Sequence, residues 1–445
     1  MELDHKKALL YEINIVNLQT KNIVSLYIMG KNRQIAQKIL SQNDKPHSRI
    51  IVFTGARQVG KTTLVKQLLS DYEYLSIEDP VMRKSYLNLS AALWQKQYPK
   101  AILDEVQKEP QLIESIKATY DTYNDVRYAL LGSSQLLLLE KVRESLAGRC
   151  IIYELYPLTL PELSTTDWNN TTKPSIWQEL LCNNFNATDL LPSFLMDKRM
   201  SAKTTAWQHY LKYGGYPALV SEEMNDDDRF VWLKNYVNTY LERDIRDLAT
   251  FRDLEPFIKL QRAVASYTGG LFNASNFSRD LGVSSKTVQR YLEYLRLSYQ
   301  VIILPAWERN TTKRLTKAPK IHFMDNGVLQ AVLQKRGGIT GNEFESLVIS
   351  EIYKQAKNIF ADASFHHLRT HDGREIDLLV ETQHGYYAFE IKMADRVSPI
   401  DARHLNGIEE ILDKPLLHSF ILSNDTETHH FAPNITAVST AMFLG

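Results

Sequence analysis

Gly55-Ala56-Arg57-Gln58-Val59-Gly60-Lys61-Thr62 decides the reading of this chain. The stretch fits G-x-x-x-x-G-K-[ST]. Ahead of it, Arg49-Ile50-Ile51-Val52-Phe53-Thr54 is an apolar run of the kind that forms a buried parallel strand. Behind it, Thr63-Leu64-Val65-Lys66-Gln67-Leu68-Leu69 reads as a helix. Strand, glycine loop and helix in that order make a phosphate cradle, because backbone N–H groups and the helix N-terminus face the anion. Gly55 and Gly60 permit backbone geometry and close approach that a Cβ would block. The expected nucleotide contacts are Gly55 through Thr62, with Thr63 beside them. Lys61 is assigned to the β- and γ-phosphates, and the Thr62 hydroxyl to Mg²⁺.

The partner motif is Lys100-Ala101-Ile102-Leu103-Asp104-Glu105, a short apolar strand ending in two acids. Beside the phosphate loop, Asp104 can hold the Mg²⁺ shell, and Glu105 is placed to orient or deprotonate the attacking water. A chain that only bound nucleotide would not need that glutamate, so Mg²⁺-dependent hydrolysis is expected. A third strand, Arg127-Tyr128-Ala129-Leu130-Leu131, runs into Gly132-Ser133-Ser134-Gln135. Ser133 would stand between loop and acids, within reach of the γ-phosphate; Ser133 and Ser134 are equally natural helix N-caps. Arg149, in Ser145-Leu146-Ala147-Gly148-Arg149, offers a cation for developing phosphate charge. It would serve either its own chain or a neighbour in a homo-oligomer, with a plain surface arginine as the alternative. No N-K-x-D guanine-reading motif occurs, which favours ATP over GTP.

These motifs, together with Gly214-Gly215-Tyr216-Pro217, Tyr240-Leu241-Glu242-Arg243-Asp244 and Lys320-Ile321-His322-Phe323-Met324-Asp325-Asn326-Gly327, resemble a family of prokaryotic AAA-type ATPases. In that family an ATPase core precedes a C-terminal region described only as a domain of unknown function. The resemblance runs over most of residues 30–400 with the motifs in the same order. It implies an ATPase fold, a winged helix and a nuclease-like C-terminus. It implies no physiological role.

Composition bounds the remainder. At 445 residues, 44% hydrophobic and 23% charged, the chain has the make-up of a globular protein with two or three domains. Its formal net charge is zero, so a nucleic-acid site must be a local patch. Cys150 and Cys182 stand far apart without ligand-spaced neighbours, which argues against zinc and structural disulfides and for a reducing compartment. Charges at Asp4, His5, Lys6, Lys7 and Glu12 break up any cleavable signal, and no window is apolar enough to span a membrane. A cytoplasmic protein without a membrane partner is expected.

The chain divides by composition into a helical segment (1–48), a P-loop core with an insertion (49–203), a helical lid (204–265), a winged helix (266–335) and a nuclease-like domain (336–445). The fold class expected is α/β throughout core and C-terminus. In the fourth segment, Ser275 can cap a helix through Leu281, Gly282 makes a turn, and Ser284 or Ser285 caps a second helix. Val288, Tyr291, Leu292 and Leu295 form its buried stripe, leaving Lys286, Gln289 and Arg290 outward. This is the helix-turn-helix layout. The stretch Arg309-Asn310-Thr311-Thr312-Lys313-Arg314 reads as a basic wing, and residues 269–317 hold eight Lys or Arg against three Asp or Glu. DNA is therefore the expected partner, with a plain packing module as the alternative.

The last segment places Glu345 on a helix, then Asp377 in Arg374-Glu375-Ile376-Asp377-Leu378-Leu379-Val380 and Glu390 and Lys392 in Ala388-Phe389-Glu390-Ile391-Lys392. With a two-residue turn at His384-Gly385, Asp377 would lie opposite Lys392, and the period of two puts Asp377, Glu390 and Lys392 on one face. Two carboxylates and a lysine there can hold Mg²⁺ and activate water against a phosphodiester, with Glu345 completing the shell. The set resembles the D…E-x-K signature of restriction-endonuclease-like nucleases, a fold that also serves as a DNA-gripping scaffold without cleavage.

Overall fold

The computed structural model describes residues 30–43, 45, 49–132, 142, 144–183, 187–191, 197–241, 254–310, 314, 317–370 and 373–445. Ser133, Ser134, the Glu242–Asp244 stretch, most of the 1–48 segment and Thr311–Lys313 of the basic stretch lie outside the described residues.

Five parallel strands form the first sheet: β1 (Ile50–Thr54), β2 (Glu73–Ser76), β3 (Lys100–Asp104), β4 (Arg127–Leu131) and β5 (Cys150–Glu154), in the order β2-β3-β4-β1-β5. Every residue of β1 is buried, as expected of a parallel strand covered by helices on both faces. Parallel pairing brings the ends of β1 and β3 to one edge of the sheet, with β4 between them. The chain leaves β1 through the glycine loop and enters the helix Lys61–Leu68. Gly55 (φ +144°) is obligatory on steric grounds: a Cβ there would stand 2.2 Å from the Leu155 carbonyl oxygen.

Beyond the sheet, the helix Met200–Tyr213 stops at Gly214, and helix Asp226–Asn235 follows. Three helices, Glu255–Ser266, Ala274–Leu281 and Ser285–Leu297, then precede an antiparallel pair, β6 (Val301–Leu304) and β7 (Lys320–Phe323). Val288, Tyr291, Leu292 and Leu295 are buried, and Lys286, Gln289 and Arg290 are exposed. Ser284 caps the second helix through the Thr287 N–H. The first begins one residue before the expected cap: the Asn273 side chain, not Ser275, accepts the Ser275 and Asn276 N–H groups.

The described cations of the basic stretch have partners within the chain. Arg314 pairs with Glu381 at 3.1 Å and lies over the Trp307 ring, and Arg309 donates to the Leu412 carbonyl at 3.0 Å. Lys317 pairs with Glu308. Across this link the Trp307 N–H donates to the His367 carbonyl at 2.7 Å, and the His367 N–H donates to the Pro305 carbonyl at 3.0 Å. Arg314 and Arg309 thus bond groups of the C-terminal region, whereas Lys317 pairs within the stretch and Arg309 keeps an exposed position.

The C-terminal part opens with the helix Gly341–Asn358, closed at its start by a Thr340–Glu343 capping box. Strands β8 (Ala363–Arg369), β9 (Glu375–Thr382), β10 (Tyr386–Ile391), β11 (Leu416–Ser423), β12 (His429–Ala432) and β13 (Ile435–Ser439) form a mixed sheet in the order β12-β13-β11-β10-β9-β8. The β9–β10 register differs from expectation. Leu379 faces Ala388 and Glu381 faces Tyr386, so Thr382 stands opposite Gly385, its N–H bonding the Gly385 carbonyl at 2.9 Å, and the two turn residues are Gln383-His384 rather than His384-Gly385. The slip is by two residues. An even slip preserves the faces, so Asp377 moves from opposite Lys392 to the neighbourhood of Glu390 without changing sides.

Apolar packing crosses the divisions read from composition. One buried cluster joins Ile51, Phe53 and Tyr156 of the core to Tyr213, Val288, Leu295 and Val328. Another joins Trp177 and Trp207 to Phe344, Phe389 and Phe443, with the Trp177 ring edge-on to Tyr387 and Phe389. The insertion in the core thus covers one face of the C-terminal sheet.

Candidate nucleotide site and a carboxylate cluster

At the carboxyl edge of the parallel sheet, Thr62 Oγ1 donates to Asp104 Oδ2 at 2.8 Å, joining two motifs 42 residues apart. Tyr74 donates to the same oxygen at 2.8 Å, and the Glu105 N–H donates to Asp104 Oδ1 at 3.0 Å. The Lys61 ammonium bonds the Gly55 and Ala56 carbonyls, each at 2.8 Å. A cleft of about 340 Å³ opens here, lined by Arg57, Gly60, Lys61, Thr62, Glu105 and Pro217 among others. Gln58, Thr63 and Asp104 also face it. A hydroxyl beside a buried carboxylate, both hard oxygens, next to a helix N-terminus is a donor set that fits Mg²⁺ and phosphate. Glu105 occupies the left-handed region (φ 59°, ψ 38°), a conformation that costs a non-glycine residue about 1–2 kcal/mol. Its carboxylate accepts from Gln107 Nε2.

Arg149 is not brought to this cleft. It precedes β5, whose Cys150 pairs with Ile50 at the opposite edge of the sheet, and it is salt-bridged to Asp121 at 2.8 Å on the surface. A five-residue strand places that edge about 16 Å from the loop. Within its own chain, this geometry excludes Arg149 from the phosphates.

Sequence reasoning passed over several residues around the loop. Pro217 lines the cleft because Gly214-Gly215 lets the chain fold against the core: the Gly215 carbonyl accepts the Leu158 N–H at 2.6 Å. The Gly215 N–H donates to Asp325 Oδ2 at 2.7 Å, and the same carboxylate caps the Val328 N–H at 3.2 Å. Burial pushes the Asp325 carboxyl up from its ordinary value. Buried Arg33 reaches the Val59 carbonyl at 3.2 Å and pairs with Glu162 at 3.3 Å. Tyr299, at φ 60° just past the second helix of the helix-turn-helix, shares a 2.8 Å hydrogen bond with Thr54 Oγ1, immediately before Gly55. The motif pairs Gly214–Pro217 and Asp325–Gly327 were visible as unusual strings; their mutual packing was not.

In the C-terminal sheet, Asp377 Oδ2 accepts the Ile391 N–H at 2.8 Å, and Lys392 donates to Glu390 Oε1 at 2.6 Å. Glu390 Oε2 is buried without a hydrogen-bond partner. Lys320 was not anticipated. It enters from β7 with a side chain 5% exposed and bonds Glu345 Oε1 at 3.0 Å and Glu375 Oε1 at 2.9 Å. The only sequence signal was a lysine at the head of an otherwise apolar strand. Burial, reinforced by the Asp377 charge, pushes the Glu345 carboxyl up to about 8 and that of Glu390 up to about 7. Burial likewise raises Asp377. Burial pulls the Lys320 ammonium down, but the charges of Glu345 and Asp377 and the bond to Glu375 outweigh it and raise its value. Among the described residues, no group of three or more His, Cys, Asp or Glu stands gathered to hold a metal ion. As arranged, Glu345, Asp377 and Glu390 do not fit a divalent cation, because ammonium groups already occupy Glu345 and Glu390.

No helix among the described residues is long and apolar enough to cross a membrane. Residues 47–164 match the family model described as an AAA domain. Residues 204–337 match a domain of unknown function (DUF8612), and residues 340–443 match another (DUF4143). The chain is 27% identical over 362 residues to the uncharacterized protein Rv2008c of Mycobacterium tuberculosis, covering 77% of this chain and 70% of the relative. It is 23% identical over 371 residues to the uncharacterized protein MJ1544 of Methanocaldococcus jannaschii, covering 79% and 74%. Among solved structures, the Walker-type ATPase PABY2304 of Pyrococcus abyssi aligns with a TM-score of 0.42 at 15% identity, over 68% of this chain and 98% of that one. The match over residues 47–164, on a parallel sheet with the phosphate loop at its carboxyl edge, identifies an AAA-type ATPase domain in this chain.

Proposed function

We propose that this chain hydrolyses ATP with Mg²⁺ and uses the energy on DNA. The observation that carries the first half is the 2.8 Å bond from Thr62 Oγ1 to Asp104 Oδ2, which supports a shared role for the loop and the acidic strand end. Thr62 and Asp104 would hold Mg²⁺, which when bound neutralises charge on the phosphates. The loop N–H groups and the helix Lys61–Leu68 orient the triphosphate, and the Lys61 ammonium exchanges its two carbonyl partners for phosphate oxygens. Glu105 accepts the proton of the attacking water. Its place at the opposite edge of the sheet leaves Arg149 as a candidate only across a subunit boundary in a homo-oligomer.

DNA enters on smaller grounds. Arg279, Lys286 and Arg290 are exposed on the helix-turn-helix, beside the exposed Gln289. These suit phosphate contact by the second helix of a winged helix. Tyr299 supports coupling, since it ties the end of that helix to the residue before the phosphate loop. Duplex-stimulated phosphate release is the test. Stimulation that disappears in Tyr299→Phe supports the reading, and a rate indifferent to duplex removes DNA from it.

A second reading has its own observation. Lys320 on Glu345 and Lys392 on Glu390 favour a nuclease-like domain that grips or assembles without cutting, making the chain an ATP-operated switch. Nicking by wild type that Asp377→Ala and Lys392→Ala abolish would decide for cleavage.

A further inference from the structure

We infer that Tyr74 is a positioning residue of the phosphate-loop site: its hydroxyl holds the Asp104 carboxylate where it can serve a metal ion together with Thr62. This rests on reading the cleft as a site for Mg²⁺ and a nucleoside triphosphate.

Strand pairing places the side chain. β2 is the edge strand of the parallel sheet, and its Ser76 stands opposite Asp104 of β3. Tyr74 lies two residues earlier on the same face as Ser76, and Leu75 between them is buried on the other. From the rise along a strand and the spacing between strands, Asp104 is about 8 Å away on the diagonal. Serine or threonine at position 74 would fall short of it. The tyrosine reaches, and its hydroxyl donates to Asp104 Oδ2 at 2.8 Å. The Lys66 ammonium stands 3.3 Å from the centre of the Tyr74 ring. Lys66 is one turn beyond Thr62 on the helix Lys61–Leu68, so both point to the same side of it. A cation over an aromatic face is attractive, and the helix that supplies the Thr62 hydroxyl therefore braces the ring as well. Lys66, Tyr74, Asp104 and Thr62 close a circuit between helix and sheet.

The donors around Asp104 define what the Tyr74 bond does. Oδ2 accepts from Thr62 and Tyr74, and Oδ1 accepts the Glu105 N–H. Thr62 and Glu105 belong to the loop and the acidic strand end. Tyr74 belongs to neither and does not line the cleft, so it acts through Asp104. Without the phenol, the carboxylate is anchored on that oxygen by Thr62 alone among the described residues, and the Thr62 hydroxyl is itself assigned to the metal. The loss therefore falls on the metal ion and spares the phosphates, which Lys61 and the loop amides hold.

The test is the affinity of a fluorescent ATP analogue for the full-length chain, measured by anisotropy in EDTA and at saturating Mg²⁺. The ratio of the two affinities is the gain due to the metal. Tyr74 is 38% exposed, so Tyr74→Phe keeps the ring under Lys66 and leaves the core undisturbed. Tyr74→Phe is expected to match wild type in EDTA and to lose about ten-fold of the Mg²⁺-dependent gain, the scale on which partners of a metal's ligands alter its affinity. Replacing Tyr74 with p-aminophenylalanine, which restores an N–H donor at the same place, should recover part of that gain. A Tyr74→Phe chain with the full gain overturns the inference. So does one that binds the analogue more weakly in EDTA by the same factor, because the damage would then be general. A wild type indifferent to Mg²⁺ overturns the reading of the cleft itself, and the role of Tyr74 falls with it.

Discussion

Glu105 is asked to do two things that pull apart, and two substitutions separate them. Glu105→Gln keeps the size and an acceptor oxygen for Gln107 Nε2 but loses the proton acceptor. A positioned general base contributes about 10²–10⁴ in rate, or about 2.7–5.4 kcal/mol of barrier, and turnover should fall by that factor. Nucleotide retention should not change, because Lys61, Thr62 and Asp104 are untouched. Glu105→Gly removes the same base and also relieves the left-handed backbone at φ 59°. Relief of about 1–2 kcal/mol, less the greater chain entropy glycine loses on folding, leaves a net gain of about 1 kcal/mol. For a domain of this size that raises the melting temperature by about 2–4 °C. The assays are phosphate release at saturating ATP and Mg²⁺, retention of a fluorescent ATP analogue, and thermal melting by circular dichroism. Turnover of Glu105→Gln within about ten-fold of wild type would refute the assignment of the base. A lower melting temperature for Glu105→Gly would refute the strain argument separately.

Charge reversal in Lys286→Glu/Arg290→Glu should abolish the salt-sensitive part of duplex binding, measured by fluorescence anisotropy across a salt series; unchanged affinity at low salt would sink the helix-turn-helix assignment. In Gly214→Ala, the new Cβ would stand 2.1 Å from Asp325 Oδ1 at φ +76°, so denaturant stability should drop by about 2–5 kcal/mol. An unchanged midpoint would mean the Gly214–Asp325 junction is not tightly packed. The raised Glu390 carboxyl has a sign to check as well. A folded value of about 7 against an ordinary 4.5 means the folded chain keeps a proton that the unfolded chain releases, so its stability contribution is full below about 4.5 and lost as pH rises towards 7. Glu390→Gln, which cannot ionise, should therefore gain on wild type in denaturant midpoint as pH rises from about 5 to 7. A gap independent of pH would refute it.

Arg149 shows how far a local pattern carries. Its neighbourhood reads correctly as a cation after a glycine, but only the strand pairing Ile50–Cys150 reveals that it precedes a strand at the edge away from the phosphates. The β9–β10 hairpin shows the converse. Its register was misjudged by two residues, and Asp377, Glu390 and Lys392 still share a face, because side-chain direction depends only on parity. The basic stretch shows a third limit: Arg309 and Arg314 are cationic in any sequence count, and their partners Leu412 and Glu381 are far along the chain.

What the amino-acid string determined alone was everything governed by short-range chemistry: the phosphate loop between a buried strand and a helix, the acids ending β3, the buried stripe of the helix-turn-helix, and the α/β class of both ends. Glycine conformations, helix periodicity and strand alternation are set within a few residues, so they survive without knowledge of the fold. Tertiary structure alone decided that Asp325 locks Gly214-Gly215 beside the phosphate loop, and that Lys320 crosses from one module to neutralise the carboxylates of another. Those outcomes depend on which distant groups share a low-dielectric interior, where an unpaired charge is costly and whichever opposite charge the fold brings near must answer it.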